Sequence, residues 1–292
     1  MSRPVPHGRR SPRTVVAGAV ATAAVALVLS ASACSSSPTE PGAAGTASAP
    51  GAPGPTGPAG TATGGSSDVG DRADAVRSLI EGEGAIVHRV VVEGDLVAVH
   101  AEVPQSETVP DGPLAQVVLL RLSGDVVVER KATAQAVPDE SINGHTMFDG
   151  GGDPDTPASA SDLAANRDVA SRFLTEVLGG ANPAAIDELV GPIYTQHNPA
   201  VGDGVAALRT FVGTLGPMEV TIDEVVAQGD LVVAWVHYGD TIRGADIFRI
   251  ADGRIVEHWD VLGPVAGRDP LRSDGAEGAD AGGTGGNAGT AP

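Results

Sequence analysis

The sequence predicts an α+β fold of antiparallel sheets and a few helices, and a repeated hairpin pattern is the main reason. Val90–His100 reads as an apolar run, a Gly-Asp turn and a second apolar run, and Val225–Trp235 has the same order. Short polar turns between such runs are typical of β-hairpins. A second pair of hairpins, Leu119–Glu129 and Ile247–Glu257, matches at a constant offset of 128 residues (247 − 119 and 257 − 129). The chain therefore carries a duplicated supersecondary unit.

Only the second copy has the full set of helices upstream of its strands. Apolar residues recur near every 3.6 positions from Leu163 to Val177, which predicts a helix capped by Ser161 and ended by Gly179-Gly180. The rest of this copy reads as helices at 183–190 and 205–215, an extended segment at 193–199, and strands near 219–227, 230–239, 244–250 and 254–262. The first copy has at most the last helix and the strands, which is about half of the unit.

Composition divides the chain into six segments. Long stretches of Ser, Pro, Gly, Ala and Thr cannot bury enough apolar surface to fold, so we expect them to be flexible. The predicted organisation is a signal peptide at 1–33, a disordered stalk at 34–70, a partial and degenerate domain at 71–148, a linker at 149–161, a complete domain at 162–266 and a disordered tail at 267–292.

The N-terminal segment has the order of an export signal. Four arginines between residues 3 and 13 precede the apolar run Val15–Leu29 and a small-residue stretch that ends at Cys34, the single cysteine of the chain. This junction resembles a bacterial lipobox, which implies a lipid on Cys34 and a protein anchored to the extracytoplasmic face of the cell membrane. The alternative is ordinary secretion, because Ala31-Ser32-Ala33 also fits a simple cleavage site.

The formal net charge of −19 limits the possible partners. Nucleic-acid binding needs a basic stripe, so we expect no nucleic-acid partner. The acidity itself is typical of a soluble extracellular surface. Contact with the membrane is therefore expected through the lipid on Cys34.

Polar residues distinguish the second copy from the first. After the matched glutamate the second copy continues His258-Trp259-Asp260, whereas the first continues Arg130-Lys131-Ala132. The second copy also has Asp246 where the first has Val118. The first copy has kept the scaffold and lost these polar side chains, so the second copy is the better candidate for a working site.

Three motifs in the second copy resemble the SnoaL-like polyketide cyclases of the nuclear-transport-factor-2-like superfamily. They are Tyr194-x-Gln196-His197-Asn198-Pro199, Asp246-Ile247-Phe248-Arg249 and the stretch from Asp252 to Asp260. The resemblance implies a cone: a curved antiparallel sheet wrapped on three helices around an apolar pocket. It also implies that residues 71–148 are a degenerate half-copy of that unit, and that Asp260 is similar to the acid–base residue of the cyclases.

The expected site combines acid–base and ligand-contacting residues. Asp260, His258 and His197 are the catalytic candidates, and Tyr194, Gln196, Asp246 and Trp259 are the expected ligand contacts. Strand alternation sends His258 and Asp260 to one face and Glu257 and Trp259 to the other. A carboxylate in an apolar pocket has a raised pKa, which suits proton exchange with a carbon next to a carbonyl.

Structural interpretations of the same residues remain open. His258 and Asp260 can simply pair with each other, Asp246 can pair with an arginine, and Trp259 can be a packing residue. His197, His258 and Asp260 are of metal-ligand type, but their spacing follows no metal motif. We therefore expect no metal and no cofactor.

Two classes of function follow. One is a surface enzyme that moves a proton on a small carbonyl compound, as a cyclase, isomerase or dehydratase does. The other is a non-catalytic module that binds a small apolar ligand or another protein. In either case the half-copy leaves an apolar sheet face to cover, so we expect a pseudo-dimer within the chain or a homodimer through the sheets.

Overall fold

The computed structural model describes residues 66–107 and 109–265. The first unit consists of α1 (Ser66–Gly82) and the strands β1 (Ile86–Glu93), β2 (Leu96–Val103), β3 (Leu114–Ser123) and β4 (Val126–Ala136). These strands form an antiparallel sheet in sequential order. The predicted signal peptide, most of the stalk including Cys34, and the tail lie outside the described residues. No helix within the described ranges is long and apolar enough to cross a membrane.

The second unit has helices first and then a larger sheet. Its helices are α2 (Ala160–Arg172), which continues as a π-helical segment (Phe173–Gly179), the single turn α3 (Ile186–Leu189) and α4 (Gly204–Thr214). Its strands are β5 (Val190–Gln196), β6 (Val220–Gln228), β7 (Leu231–Tyr238), β8 (Ile242–Ala251) and β9 (Arg254–Pro264). The sheet order is β5-β9-β8-β7-β6, antiparallel except for β5 on β9. The α+β class and the predicted combination of an antiparallel sheet with three helices are confirmed.

Helix α2 begins two residues earlier than Ser161 would place it. Ser159 is the N-cap: its hydroxyl accepts from the Asp162 N–H, and the Asp162 carboxylate accepts from the Ser159 N–H. A capping box needs the two side chains three positions apart, and Ser159 meets that condition whereas Ser161 does not.

The register of the duplicated hairpin is the same in both units. Arg121 faces Glu129 across β3 and β4, and Arg249 faces Glu257 across β8 and β9. Both pairs are ion pairs, with Nε–Oε2 distances of 3.3 Å and 2.7 Å. Each hairpin also has an irregularity directly after its arginine, which bends the sheet at the same point.

The sheet of the first unit is covered on both faces. Helix α1 packs Val76 and Ile80 onto the face that carries Val118 and Leu120. The opposite face is the one that meets the second unit.

The two sheets pack against each other within the chain through an apolar layer. Val91, Val117 and Leu119 of the first sheet contact a layer that includes Trp235 and Ile247 of the second sheet. All five side chains are at most 4% exposed, so this layer is as closed as the core of either unit. The stability of each unit therefore depends on the other.

Placing a carboxylate in this layer tests that dependence. Val117→Asp buries a charge without a partner, and we expect it to lower the free energy of unfolding by about 3–5 kcal/mol. The matched control is Val126→Asp on the same sheet, where the valine is 64% exposed and the expected cost is about 0.5 kcal/mol or less. Urea denaturation of the two variants measures the difference. Equal stabilities would contradict the proposed inter-sheet core.

Candidate functional site

A cavity of about 330 Å³ lies inside the second unit, between its helices and the inner face of its sheet. Most of its wall is apolar, and its apolar side chains include Phe173, Leu178, Leu208, Phe211, Met218 and Leu262. Phe173 and Leu178 come from the π-helical segment, where the widened turn carries both side chains to the cavity. The volume suits a small organic molecule rather than a peptide or a polymer.

Three polar side chains from the last two strands meet at this cavity. Asp246 of β8 and Asp260 of β9 are directly opposite each other in the antiparallel ladder. His258 precedes Asp260 by two positions and therefore shares its face. Side-chain donor atoms of these three residues lie within 4.8 Å of one another, and all three residues are buried. The predicted alternation of β9 is confirmed for this face.

Asp246 holds the ring of His258 rather than an arginine. One carboxylate oxygen, Oδ1, lies 3.1 Å from His258 Nε2, and the other, Oδ2, accepts a hydrogen bond from the Tyr238 hydroxyl at 2.8 Å. The His258 ring stacks on Phe248 with a centroid distance of 4.9 Å. His258 Nδ1 is buried and has no hydrogen-bond partner within the described residues. The arginine pairing considered for Asp246 is thereby excluded.

Asp260 is partnered by Asn198 instead of His258. The Asn198 amide nitrogen donates to Asp260 Oδ1 at 3.0 Å and to Oδ2 at 2.7 Å. Burial raises the pKa of Asp260 to about 6, an effect that Asp246 reinforces and that His258 and Asn198 oppose. A carboxyl group with this pKa exchanges protons readily near neutral pH. The direct pairing of His258 with Asp260 is therefore replaced by two separate polar pairs, His258 with Asp246 and Asn198 with Asp260.

Gln196 and Tyr194 support the loop that carries Asn198. The Gln196 amide oxygen accepts from the backbone N–H groups of His197 and Asn198, and its amide nitrogen donates to the Tyr194 hydroxyl at 2.9 Å. Gln196 also lines the cavity, whereas Tyr194 is buried behind it. Burial raises the pKa of Tyr194 well above its ordinary value. The position of Tyr194 supports the wall of the site rather than contact with a ligand.

His197 and Trp259 lie on the opposite side of β9, away from the cavity. His197 Nε2 is 2.9 Å from Glu257 Oε1, and its ring stacks on Trp259 with a centroid distance of 4.7 Å. Trp259 donates to the Asp149 carbonyl and is buried between the sheets. The structure therefore does not bring His197 together with His258 and Asp260, which corrects the catalytic grouping and the metal set based on it. Trp259 is a packing residue.

Two residues of the site were missed from the sequence. Asn198 stands in the Tyr194-to-Pro199 motif, but nothing in its spacing shows that it reaches Asp260. Tyr238 ends β7 two strands away from Asp260, and its partner Asp246 is visible only once β7 and β8 are paired. The Asn198–Asp260 contact joins a loop to a strand 62 residues away, and the Tyr238–Asp246 contact crosses between two consecutive strands. Local periodicity encodes neither contact.

Comparison with known proteins finds similarity to the second unit. The family model of the SnoaL-like domain matches residues 170–258. Among solved structures, TsrD from Streptomyces laurentii is 27% identical with a TM-score of 0.30, over 35% of this chain and 90% of that one. A putative polyketide cyclase from Acidithiobacillus ferrooxidans is 21% identical with a TM-score of 0.31, over 36% of this chain and 91% of that one. No curated protein matches the chain significantly.

The raised pKa of Asp260 predicts a specific pH dependence of stability. Folding favours the protonated carboxyl, so its contribution is present below the ordinary pKa of 3.8 and is lost as the pH rises through about 6. Relative to Asp260→Asn, we expect the wild-type free energy of unfolding to fall by up to about 3 kcal/mol between pH 4 and pH 7. Denaturation curves across this range measure it. The control is Asp252→Asn in an exposed turn, whose free energy of unfolding should change with pH in the same way as that of the wild type. If Asp260→Asn also followed the wild-type pH dependence, the raised pKa of Asp260 would be refuted.

Proposed function

We propose that the cavity of the second unit, which is similar to the SnoaL-like domain over residues 170–258, catalyses proton transfer on a small carbonyl compound, as a cyclase, isomerase or dehydratase does. The observation that supports this most is the burial and raised pKa of Asp260. It is a buried carboxyl group at the wall of a largely apolar cavity, with a pKa of about 6. A general base of that strength can remove a proton next to a carbonyl and return it within one turnover.

The contacts of Asp260 suit this role. Both carboxylate oxygens accept from the same Asn198 amide nitrogen, which fixes the plane of the carboxyl group and leaves lone pairs toward the cavity. In the first step the carboxylate takes a proton from the carbon next to the carbonyl. The electron pair of the broken C–H bond then forms the carbon–carbon double bond of an enolate, and the carbonyl electrons move onto oxygen.

His258 is placed to interact with the oxygen on which charge develops. Its Nε2 is held by Asp246, and Asp246 is fixed in turn by the Tyr238 hydroxyl. Only the imidazolium form carries an N–H on both ring nitrogens. In this form Nε2–H donates to Asp246, and Nδ1–H, which has no partner among the described residues, donates to the substrate oxygen. A preorganised polar contact of this kind stabilises the transition state more than the ground state.

The apolar wall provides the other requirement. Phe173, Leu208 and Leu262 surround the polar cluster, and an apolar environment strengthens each electrostatic contact within it. A substrate with an apolar body and a polar carbonyl end fits this division. The alternative function, binding without catalysis, would use the same wall and leave Asp260 chemically idle.

Hydrogen–deuterium exchange tests the proposal without knowledge of the natural substrate. A panel of small β-keto compounds is incubated with the protein in D₂O, and deuterium at the carbon between the two carbonyl groups is followed by NMR. We expect exchange above the uncatalysed rate, and we expect Asp260→Asn to reduce that catalysed rate by about 10²–10⁴-fold while ligand affinity is retained. The loss lies in proton transfer, because the asparagine keeps the shape of the side chain.

The control is Asp252→Asn, which replaces an exposed carboxylate in the β8–β9 turn and should leave exchange unchanged. A compound that binds the wild type without exchange would identify a binding module. Exchange that persists in Asp260→Asn would remove Asp260 from the mechanism.

We further propose that the protein is exported and anchored to the membrane by a lipid on Cys34. The support is in the sequence: arginines, an apolar run and small residues precede the only cysteine. Location outside the cytoplasm argues against a substrate that is made and cyclised inside the cell.

Replacing the thiol tests the anchor. We expect Cys34→Ser to move the protein from the membrane fraction into the medium, because the lipid is attached through a thioether and the serine hydroxyl cannot form one. Immunoblots of both fractions measure this. The control is Ser35→Ala at the next residue, which should leave the distribution unchanged. Mass spectrometry of the mature N-terminal peptide shows the lipid directly, and an unmodified, secreted wild type would establish ordinary secretion instead.

A further inference from the structure

A second polar cluster lies on the other side of β9, where the segment between the sheets crosses the second unit. His145 and Asp149 belong to this segment, and His197 directly follows the end of β5. Donor atoms of these three side chains lie within 4.8 Å of one another. We propose that this cluster, the seam site, binds a divalent transition-metal cation such as Zn²⁺.

The two imidazole rings are arranged alike around the Asp149 carboxylate. His197 Nδ1 is 3.2 Å from Asp149 Oδ1, and His145 Nδ1 is 3.5 Å from Asp149 Oδ2. The far nitrogens face other carboxylates: His197 Nε2 is 2.9 Å from Glu257 Oε1, and His145 Nε2 is 3.8 Å from Asp203 Oδ2. Each ring therefore lies between two carboxylates, with Nδ1 turned inward.

This arrangement calls for additional positive charge at its centre. A neutral imidazole has one N–H, so it can donate on one side only and directs a lone pair at the oxygen on the other side. Protonating both rings would provide the missing donors, but the ring centroids are 5.2 Å apart and the two positive charges would repel. One divalent cation between the two Nδ1 atoms and Asp149 satisfies both rings together.

The outer contacts match those of known metal sites in kind. A metal-binding histidine usually donates its second N–H to a carboxylate, which fixes the tautomer and orients the ring. Glu257 is the carboxylate that accepts from His197 Nε2. It also accepts hydrogen bonds from Arg249 Nε at 2.7 Å and from the Gly151 N–H at 3.1 Å. The Thr146 hydroxyl donates to Asp149 Oδ1 at 2.8 Å.

The donor set fits a borderline cation and is accessible from solvent. Two imidazole nitrogens and a carboxylate are typical zinc ligands. The Thr146 carbonyl oxygen, which is the hydrogen-bond partner of His197 Nδ1 at 2.9 Å, would lose that bond when Nδ1 binds the ion and would be a further oxygen donor to it. The His197 side chain is fully buried, while His145 and Asp149 are 33% and 48% exposed. A bound ion would fasten the crossing segment to the second unit. The site lies on the face of β9 opposite to the cavity, so it does not rest on the proposed catalysis.

Metal titration of the whole chain tests the seam site. The titrated protein is the 292-residue chain with Cys34→Ser, because a free thiol is itself a metal ligand. Equilibrium dialysis against Zn²⁺ should give one bound ion per chain. Co²⁺ should give visible d–d absorption that Zn²⁺ abolishes. The melting temperature should rise with Zn²⁺ and return to its starting value with a chelator.

Matched variants assign the ion to the cluster. His145→Ala removes a part-exposed ligand and should weaken Zn²⁺ binding by more than about 100-fold, beyond the range expected for an outer partner. Asp203→Asn keeps an oxygen for the Gln196 N–H and should weaken binding about 10-fold. The control is His237→Ala, which breaks a similar exposed histidine–carboxylate pair with Asp223 on the other side of the second unit and should leave binding unchanged.

Three outcomes would overturn the seam site. The first is a chain that binds no Zn²⁺ or Co²⁺ under these conditions. The second is binding that His145→Ala leaves intact. The third is binding that is lost in Asp260→Asn and not in His145→Ala, which would assign the ion to Asp246, His258 and Asp260 in the cavity.

Discussion

The alternation of side chains along β9 is the constraint on which both polar regions of this molecule depend. Successive residues point to opposite faces of a strand, so His258 and Asp260 face the cavity while Glu257 and Trp259 face the first unit. A shift of one residue would exchange the two sets completely. The Arg249–Glu257 pair and the tight turn at Asp252-Gly253, where both residues have positive φ, fix the register.

The outer face of β9 shows how charged groups can be buried between two units. Burial lowers the pKa of Arg89 to about 10, yet its guanidinium stays paired: it lies 3.9 Å from the Trp259 ring centroid and donates to the Phe148 and Asp149 carbonyls. Burial alone would raise the pKa of Glu257, but hydrogen bonds from His197, Arg249 and the Gly151 N–H lower it to about 2. Buried charged pairs of this kind add little net stability. Their directional contacts instead fix one relative position of two apolar sheet faces, which could otherwise slide over each other.

The sequence predicts what depends on local periodicity and misses what depends on distant pairing. The strands, the duplicated register and the meeting of Asp246, His258 and Asp260 follow from period-two patterns and matched hairpins. The position of His197 does not, because it depends on the parallel pairing of β5 with β9, whose register shifts between Val190 and Thr195. Trp259 shows a different limit, since its alternation indicated the correct face while its motif suggested a ligand contact.

The linking segment shows why composition alone can mislead. Its glycines predict a flexible connection, yet its backbone provides carbonyls for Arg89 and Trp259 and an N–H for Glu257. Gly150 has φ +102 and lies so close to Trp259 and His197 that a Cβ would be within 2.8 Å of both side chains. Glycine is required there by close approach rather than by flexibility.

The degenerate first unit explains why the polar cluster and the cavity occur together. At the positions matched to Asp246 and Asp260 it has Val118 and Ala132, and these pack beneath Val76 and Ile80 of α1. At the position matched to His258 it has Arg130, which pairs with Glu83, the residue directly after α1. A carboxylate beneath α1 would be buried without a polar partner at a cost of several kcal/mol. The second unit tolerates two buried carboxylates because its three helices enclose a cavity rather than fill it, and because Asn198, Tyr238 and His258 supply the hydrogen bonds that such groups need.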